Sequence, residues 1–175
     1  TSLLFLGSAL FVTACSNDAK DGSVLEDMDI TYAQGLAHDT TSTSPFAIPL
    51  ELDVYYPAEE STDRPVFMFI HGGGFKGGTK TKPEIVDMAN YYASRGWVFV
   101  SIDYRTTEEL CDVENASQCD AKLTDMTREE KLEYYKGIAP QEWIENAFDG
   151  VENTQQLQQS IAMYAAQRDS KAALR

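Results

Sequence analysis

Residues 66–102 constrain the fold more than any other part of the sequence. Val66-Phe67-Met68-Phe69-Ile70 is apolar without interruption, the pattern of a strand buried on both faces. It runs straight into His71-Gly72-Gly73-Gly74-Phe75-Lys76-Gly77-Gly78, a stretch too rich in glycine for regular structure. Pro83 suits the first turn of a helix. Ile85, Met88, Ala89 and Tyr92 then recur at i, i+3, i+4 and i+7, one apolar face. Gly96 supplies a C-terminal stop, and Trp97-Val98-Phe99-Val100-Ser101-Ile102 reads as a second buried strand. Strand, glycine loop, helix and strand form a βαβ unit, which commits the chain to a parallel sheet and an α/β fold.

The flanks add further elements. Ile30 to Ala33 is a short β-prone piece, and 39–45 is a polar, turn-rich link. Ile48, Leu50, Leu52, Val54 and Tyr56 alternate with Pro49, Glu51, Asp53 and Tyr55. That period of two predicts a half-buried strand ended by Pro57, with the first set inward. The two pieces are expected to make an antiparallel edge pair. Residues 106–150 break the rhythm. They are acidic, and Thr127-x-x-Glu130 is a capping box ahead of Leu132, Tyr134 and Tyr135. A second helix is expected over Gln141 to Phe148. A long one is expected from Asn153, with Leu157, Ile161, Tyr164, Ala165 and Arg168 on one side and Ala172 to Leu174 continuing it. The apolar fraction of 43% supports a packed core. A net charge of −14 argues against a nucleic-acid partner, which requires a basic face. Two parallel strands and an edge pair make a thin sheet, so the chain is expected to be part of a larger domain.

The chain begins at Thr1, and Leu3 to Val12 is almost wholly apolar, about the size of a secretory signal core. Val12-Thr13-Ala14-Cys15 resembles the lipobox of bacterial lipoproteins. That resemblance implies a signal over 1–14, lipid attachment at Cys15 and a membrane-anchored protein facing the periplasm or cell exterior. The alternative is an ordinary signal with an incidental cysteine. Residues 15–27 read as a polar tether, leaving 28–175 for the folded part. Export also suits a Cys111–Cys119 disulfide, since an oxidising compartment would let the pair close the polar loop between them. Two free thiols or a metal site are the alternatives. The two histidines, His38 and His71, lie far from both cysteines in sequence.

The glycine cluster admits several readings. A dinucleotide fingerprint needs G-x-G-x-x-G opening the helix directly, which Gly72, Phe75 and Gly78 do not supply. A Walker loop needs Gly-Lys-Ser/Thr, and Gly77-Gly78-Thr79-Lys80 has the wrong order. A plain flexible turn remains open. The remaining reading is an oxyanion hole, in which consecutive glycines aim backbone N–H groups at a developing negative oxygen. The ordered set Leu52-Asp53-Val54-Tyr55-Tyr56-Pro57, His71 to Phe75, and Ser94 to Arg105 with its Asp103-Tyr104-Arg105 turn resembles the α/β-hydrolase esterases and lipases. Asp169 to Arg175 resembles their helix leading to the nucleophile strand. The likeness is to feruloyl-esterase-like and hormone-sensitive-lipase-like groups, and covers about 48–105 and 160–175.

That resemblance implies the N-terminal part of an α/β-hydrolase fold and ester hydrolysis by acyl transfer. The substrate would be a small-molecule or lipid ester, with no cofactor and no metal. Gly73 and Gly74 would donate to the oxyanion, with His71, Gly72 and Phe75 shaping the loop. Asp103 and Arg105 would hold the loop and sheet edge, the insertion 106–155 would cover the pocket like a lid, and His38 would be an ordinary surface residue. The family's nucleophile elbow is G-x-S-x-G. No serine here has glycine at both −2 and +2, and no histidine follows His71. The chain is therefore expected to stop before the elbow and to be inactive alone. The rivals are a serine peptidase of the same fold, a non-catalytic α/β-hydrolase-fold binding protein and an acidic surface lipoprotein that only binds.

Overall fold

The computed structural model describes residues 22–38, 44–150 and 154–175. The signal segment 1–14 and Cys15 lie outside them. The strands are β1 (Val24–Ala37), β2 (Phe46–Pro57), β3 (Val66–Ile70) and β4 (Val98–Ile102). They form one sheet in the order β1-β2-β4-β3, with β1/β2 and β2/β4 antiparallel and β3/β4 parallel. The mixed α/β architecture is the expected one. Helix α1 (Pro83–Ala93) crosses between β3 and β4 with Pro83 in its first turn. Its Ile85 and Ala89 are buried against Tyr55 and Phe99, with Met88 and Tyr92 packed partly beside them. Phe67, Tyr92 and Phe99 cluster with ring centroids 5.0–6.1 Å apart. Gly96, at φ +94°, makes the turn into β4 that a side chain would resist.

Three strand expectations need correction. β1 runs from Val24, not from Ile30, so residues 24–27, read as the end of the tether, are strand. It is the sheet edge, and most of it is exposed, which lets Glu26, Asp27 and Asp29 sit in it. Register shifts on both sides of Ile30 and Thr31 bend it, and Asp29 takes a left-handed φ of +54°. β2 is not half-buried. It lies between β1 and β4, and Asp53 and Tyr55, on the face read as outward, are 0% and 1% exposed. β3, read as buried on both faces, is the other edge, and Val66 and Ile70 are 63% and 48% exposed.

Beyond β4 the chain builds a helical layer: α2 (Thr107–Cys111), α3 (Ala116–Thr124), α4 (Arg128–Tyr135), α5 (Gln141–Gly150) and α6 (Thr154–Ala172). Thr127 caps α4 reciprocally with Glu130, as its spacing predicts. Leu110, Cys111, Cys119, Leu123, Tyr134 and Ile144 close a second core against Leu157, Ile161 and Ala165 of α6. Leu157, Ile161 and Ala165 lie on the buried face of α6 as expected, but Arg168 does not: it is exposed, and Asp169 is buried in its stead. Cys111 and Cys119 are disulfide-bonded, with Cα atoms 5.8 Å apart, and join α2 to α3. In the chain-entropy picture so short a loop contributes about 2.6 kcal/mol. His38 is also corrected. It is fully buried, with its ring stacked on Tyr134 at 4.4 Å. Among the described residues no helix is long and apolar enough to cross a membrane.

Candidate active site

Residues 71–80 leave the C-terminal end of β3 and enter α1. The loop is folded on itself by close backbone contact. A Cβ at Gly73 would lie 1.8 Å from the Gly77 carbonyl oxygen, and one at Gly78 would lie 2.5 Å from His71 Nδ1. Gly74 and Phe75 both sit at φ +61°. For glycine this is free, but for phenylalanine it stores strain of order 1–3 kcal/mol. Burial of the Phe75 ring against the second core and its edge contact with Tyr104 offset that strain.

Neighbouring elements hold each part of the loop. The Tyr104 hydroxyl donates to the His71 carbonyl at 2.6 Å, and its ring stacks on the His71 imidazole at 4.4 Å. Burial raises the Tyr104 pKa, with the carboxylates of Glu109 and Asp103 adding to it, so the donor stays protonated. The Thr107 and Glu108 N–H groups at the start of α2 donate to Phe75 and Lys76 carbonyls at 2.8 and 3.0 Å. Gln159 of α6 donates to the Gly74 carbonyl at 2.9 Å. Asp103 Oδ1 faces His71 Nε2 at 3.4 Å. His71 and Phe75 are thus each anchored from outside the loop, and the Gly72 carbonyl accepts from Lys82 Nζ at 3.5 Å. Among the described residues, no partner engages the Gly73 or Gly74 N–H.

Those two glycines line a cleft of about 620 Å³ between β3, the loop and the last turns of α6. Met68, Ile70, Phe75, Ala166 and Leu174 make its wall largely apolar. Residues 106–155, expected to cover the pocket, contribute none of its lining. They brace the loop from behind instead. Backbone N–H donors directed into an apolar cleft would suit an oxyanion, because low polarity strengthens each hydrogen bond. Residues 52–127 match the BD-FAE family model. The segment that holds the loop is thus similar to an esterase-like α/β-hydrolase family. Among solved structures, esterase B from Lactobacillus Rhamnosis (HN001) matches at 24% identity and a TM-score of 0.33, over 50% of this chain. This chain covers 24% of that esterase. No curated protein matches the sequence.

Sequence reasoning expected Asp103 and Arg105 to hold the loop and sheet edge; it missed Lys80, Asp29, Asp53 and the Asp169 partner of Arg105. Lys80 is 4% exposed. Its Nζ lies 2.6 Å from Asp29 Oδ1, 3.0 Å from Asp53 Oδ1 and 3.9 Å from Asp103 Oδ2. Burial works against the ammonium, but hydrogen bonds to Asp29 and Asp53 and the charge of Asp103 outweigh it and raise its pKa. Arg105 grips Asp169 of α6 through Nε (2.9 Å) and Nη2 (2.7 Å). Half-buried Glu109 caps α2 by accepting from the Thr106 N–H at 2.5 Å and from its hydroxyl. Among the described residues no cluster of histidine, cysteine, aspartate or glutamate is arranged to hold a metal.

Proposed function

We propose that this chain is the N-terminal portion of an exported serine carboxylesterase or lipase, and that it supplies the oxyanion loop. The observation that carries the reading is that Gly73 and Gly74, whose N–H groups are unpartnered among the described residues, line an apolar cleft. Each such donor stabilises a tetrahedral oxyanion by about 2.7–4 kcal/mol. The similarity of residues 52–127 to the BD-FAE model supports ester chemistry in particular. The 175 residues contain no G-x-S-x-G and no histidine after His71, so nucleophile and base would come from a part of the protein outside this chain. His71, stacked on Tyr104 and directed at Asp103, has a supporting role in this scheme.

The test is hydrolysis of a p-nitrophenyl ester of a short acyl chain. The whole protein encoded by the gene should turn it over, and the 175-residue chain should not exceed background. Hydrolysis by the isolated chain, abolished by a serine-directed inhibitor, would overturn this division of labour. A whole protein with no ester hydrolysis would remove the reading altogether. For the anchor, a Cys15→Ser variant should lose the diacylglycerol mass from the N-terminal peptide. An unmodified Cys15 in the wild-type protein from a bacterial host would sink that part.

A further inference from the structure

Lys80 stands at the far end of the loop from His71, and five contacts fix it. Its N–H donates to Asp103 Oδ1 at 2.6 Å, and its carbonyl accepts from the Ser101 hydroxyl at 3.0 Å. Its Nζ gathers Asp29, Asp53 and Asp103, carboxylates from β1, β2 and the residue after β4. Asp53 is fully buried, takes the Asp29 N–H at 2.9 Å as well, and leaves its Oδ2 without a partner among the described residues. Burying a carboxylate so incompletely paired is costly, and among the described residues the cation that compensates it is Lys80.

The loop's folding connects this cluster to the donors. Asp103 Oδ1 meets both ends at once, the Lys80 N–H and His71 Nε2. Between those ends, Gly77 lies directly behind Gly73, and Gly78 behind His71 and the Gly72 carbonyl. Gly77 and Gly78 are only two or three residues from Lys80. A shift of Lys80 therefore moves the backbone against which Gly73 is packed, and the contact there is backbone on backbone, with no rotamer to absorb it.

We propose that Lys80 is a positioning residue, which clamps the end of the glycine loop onto Asp29, Asp53 and Asp103 and so sets the direction of the Gly73 and Gly74 N–H groups. The proposal rests on the oxyanion reading above. It adds a function to a residue whose sequence context suggested only a misordered phosphate loop.

Two variants of the whole protein test it. Asp29→Asn is the mild one, because the Asp29 side chain is 67% exposed and asparagine tolerates its left-handed backbone. Lys80→Met/Asp53→Asn is the severe one, removing the buried cation together with the buried anion. Steady-state kinetics are measured below the unfolding transition, together with N–H order parameters at Gly73 and Gly74. Clamping predicts that kcat falls a few-fold in Asp29→Asn and by about 10- to 100-fold in the double variant, with KM little changed. Loss of a direct oxyanion donor, about 10²–10³-fold, sets the ceiling. The order parameters should fall from about 0.85 towards 0.6 or below in the double variant. A purely structural ion pair predicts otherwise: kcat and both order parameters stay at wild-type values in folded protein, and that result overturns the proposal. If the double variant does not fold, unchanged kcat and order parameters in Asp29→Asn do the same. An unmodified whole protein that lacks esterase activity would end the esterase reading, and the order parameters would then decide the clamp alone.

Discussion

Gly73→Ala is expected to lower kcat/KM for ester hydrolysis in the whole protein by at least about 10²-fold, the loss associated with one oxyanion donor. Gly72, Gly73 and Gly74 face different constraints, so the size of the effect should be graded. A Cβ at Gly73 would lie 1.8 Å from a backbone oxygen, that of Gly77. No rotamer change relieves such a contact, and the loop must open. At Gly74 the Cβ meets nothing closer than 4.0 Å, but φ is +61°, so alanine costs about 1–2 kcal/mol of backbone strain and the loop can keep its path. At Gly72 nothing lies within 4 Å. The expected order of damage is Gly73 first, Gly74 second and Gly72 last, measured as kcat/KM on folded protein. Equal losses at all three would mean that the loop does not act through the geometry described here.

The sequence announces the elements whose signals are local. The apolar run 66–70, Pro83, the helical spacing of Ile85, Met88, Ala89 and Tyr92, and the Thr127–Glu130 box all report interactions within a few residues. Each appears in the fold where it is expected. The short helices α2 and α3 also had local signals, the reciprocal Thr106–Glu109 and Asn115–Gln118 caps, which the acidic composition of the region obscured. What stayed hidden depends on distance along the chain. Asp53 looks like the polar phase of an alternating strand, and only the return of Lys80 beneath the loop explains its burial. His38 ends an edge strand and looks exposed until α4 lays Tyr134 on it. β1 hides behind its own charges, because an edge strand needs no apolar face to be paired. β3 shows the converse, since an uninterrupted apolar run reports the hydrophobicity of a strand and not whether both of its sides are covered. The glycine loop was legible as a candidate site because its chemistry requires missing side chains, which composition displays directly. The groups that hold it, Tyr104 just after β4, Gln159 of α6 and Lys80 at the loop's own end, lie far apart along the chain and carry no common motif.

The largest effect on stability is expected at Arg105. Its Nε and Nη2 form a two-pronged bond to Asp169, its N–H adds a third bond to Oδ2 at 3.0 Å, and its Nη1 donates to the Leu36 carbonyl at 3.0 Å. The side chain lies across Gly35, where a Cβ would meet it at 2.7 Å. One residue therefore joins the end of β4, the edge strand β1 and helix α6. Arg105→Ala would leave Asp169, 3% exposed, without its cation. Breaking a buried pair in this way costs about 3–5 kcal/mol. For a domain of this size that corresponds to a Tm lowered by roughly 6–20 °C. Arg105→Lys keeps the charge but loses the fork, and should fall between wild type and alanine. The paired variant Arg105→Ala/Asp169→Ala removes the stranded charge, so it should be more stable than the sum of the two single losses, by about 0.5–3 kcal/mol. Urea unfolding of the four proteins at pH 7 measures this coupling. Strict additivity, or a cost below about 1 kcal/mol for Arg105→Ala, would show that Asp169 is rehydrated when the arginine is lost, and that α6 is held to the sheet by the apolar contacts of Leu157, Ile161 and Ala165 instead.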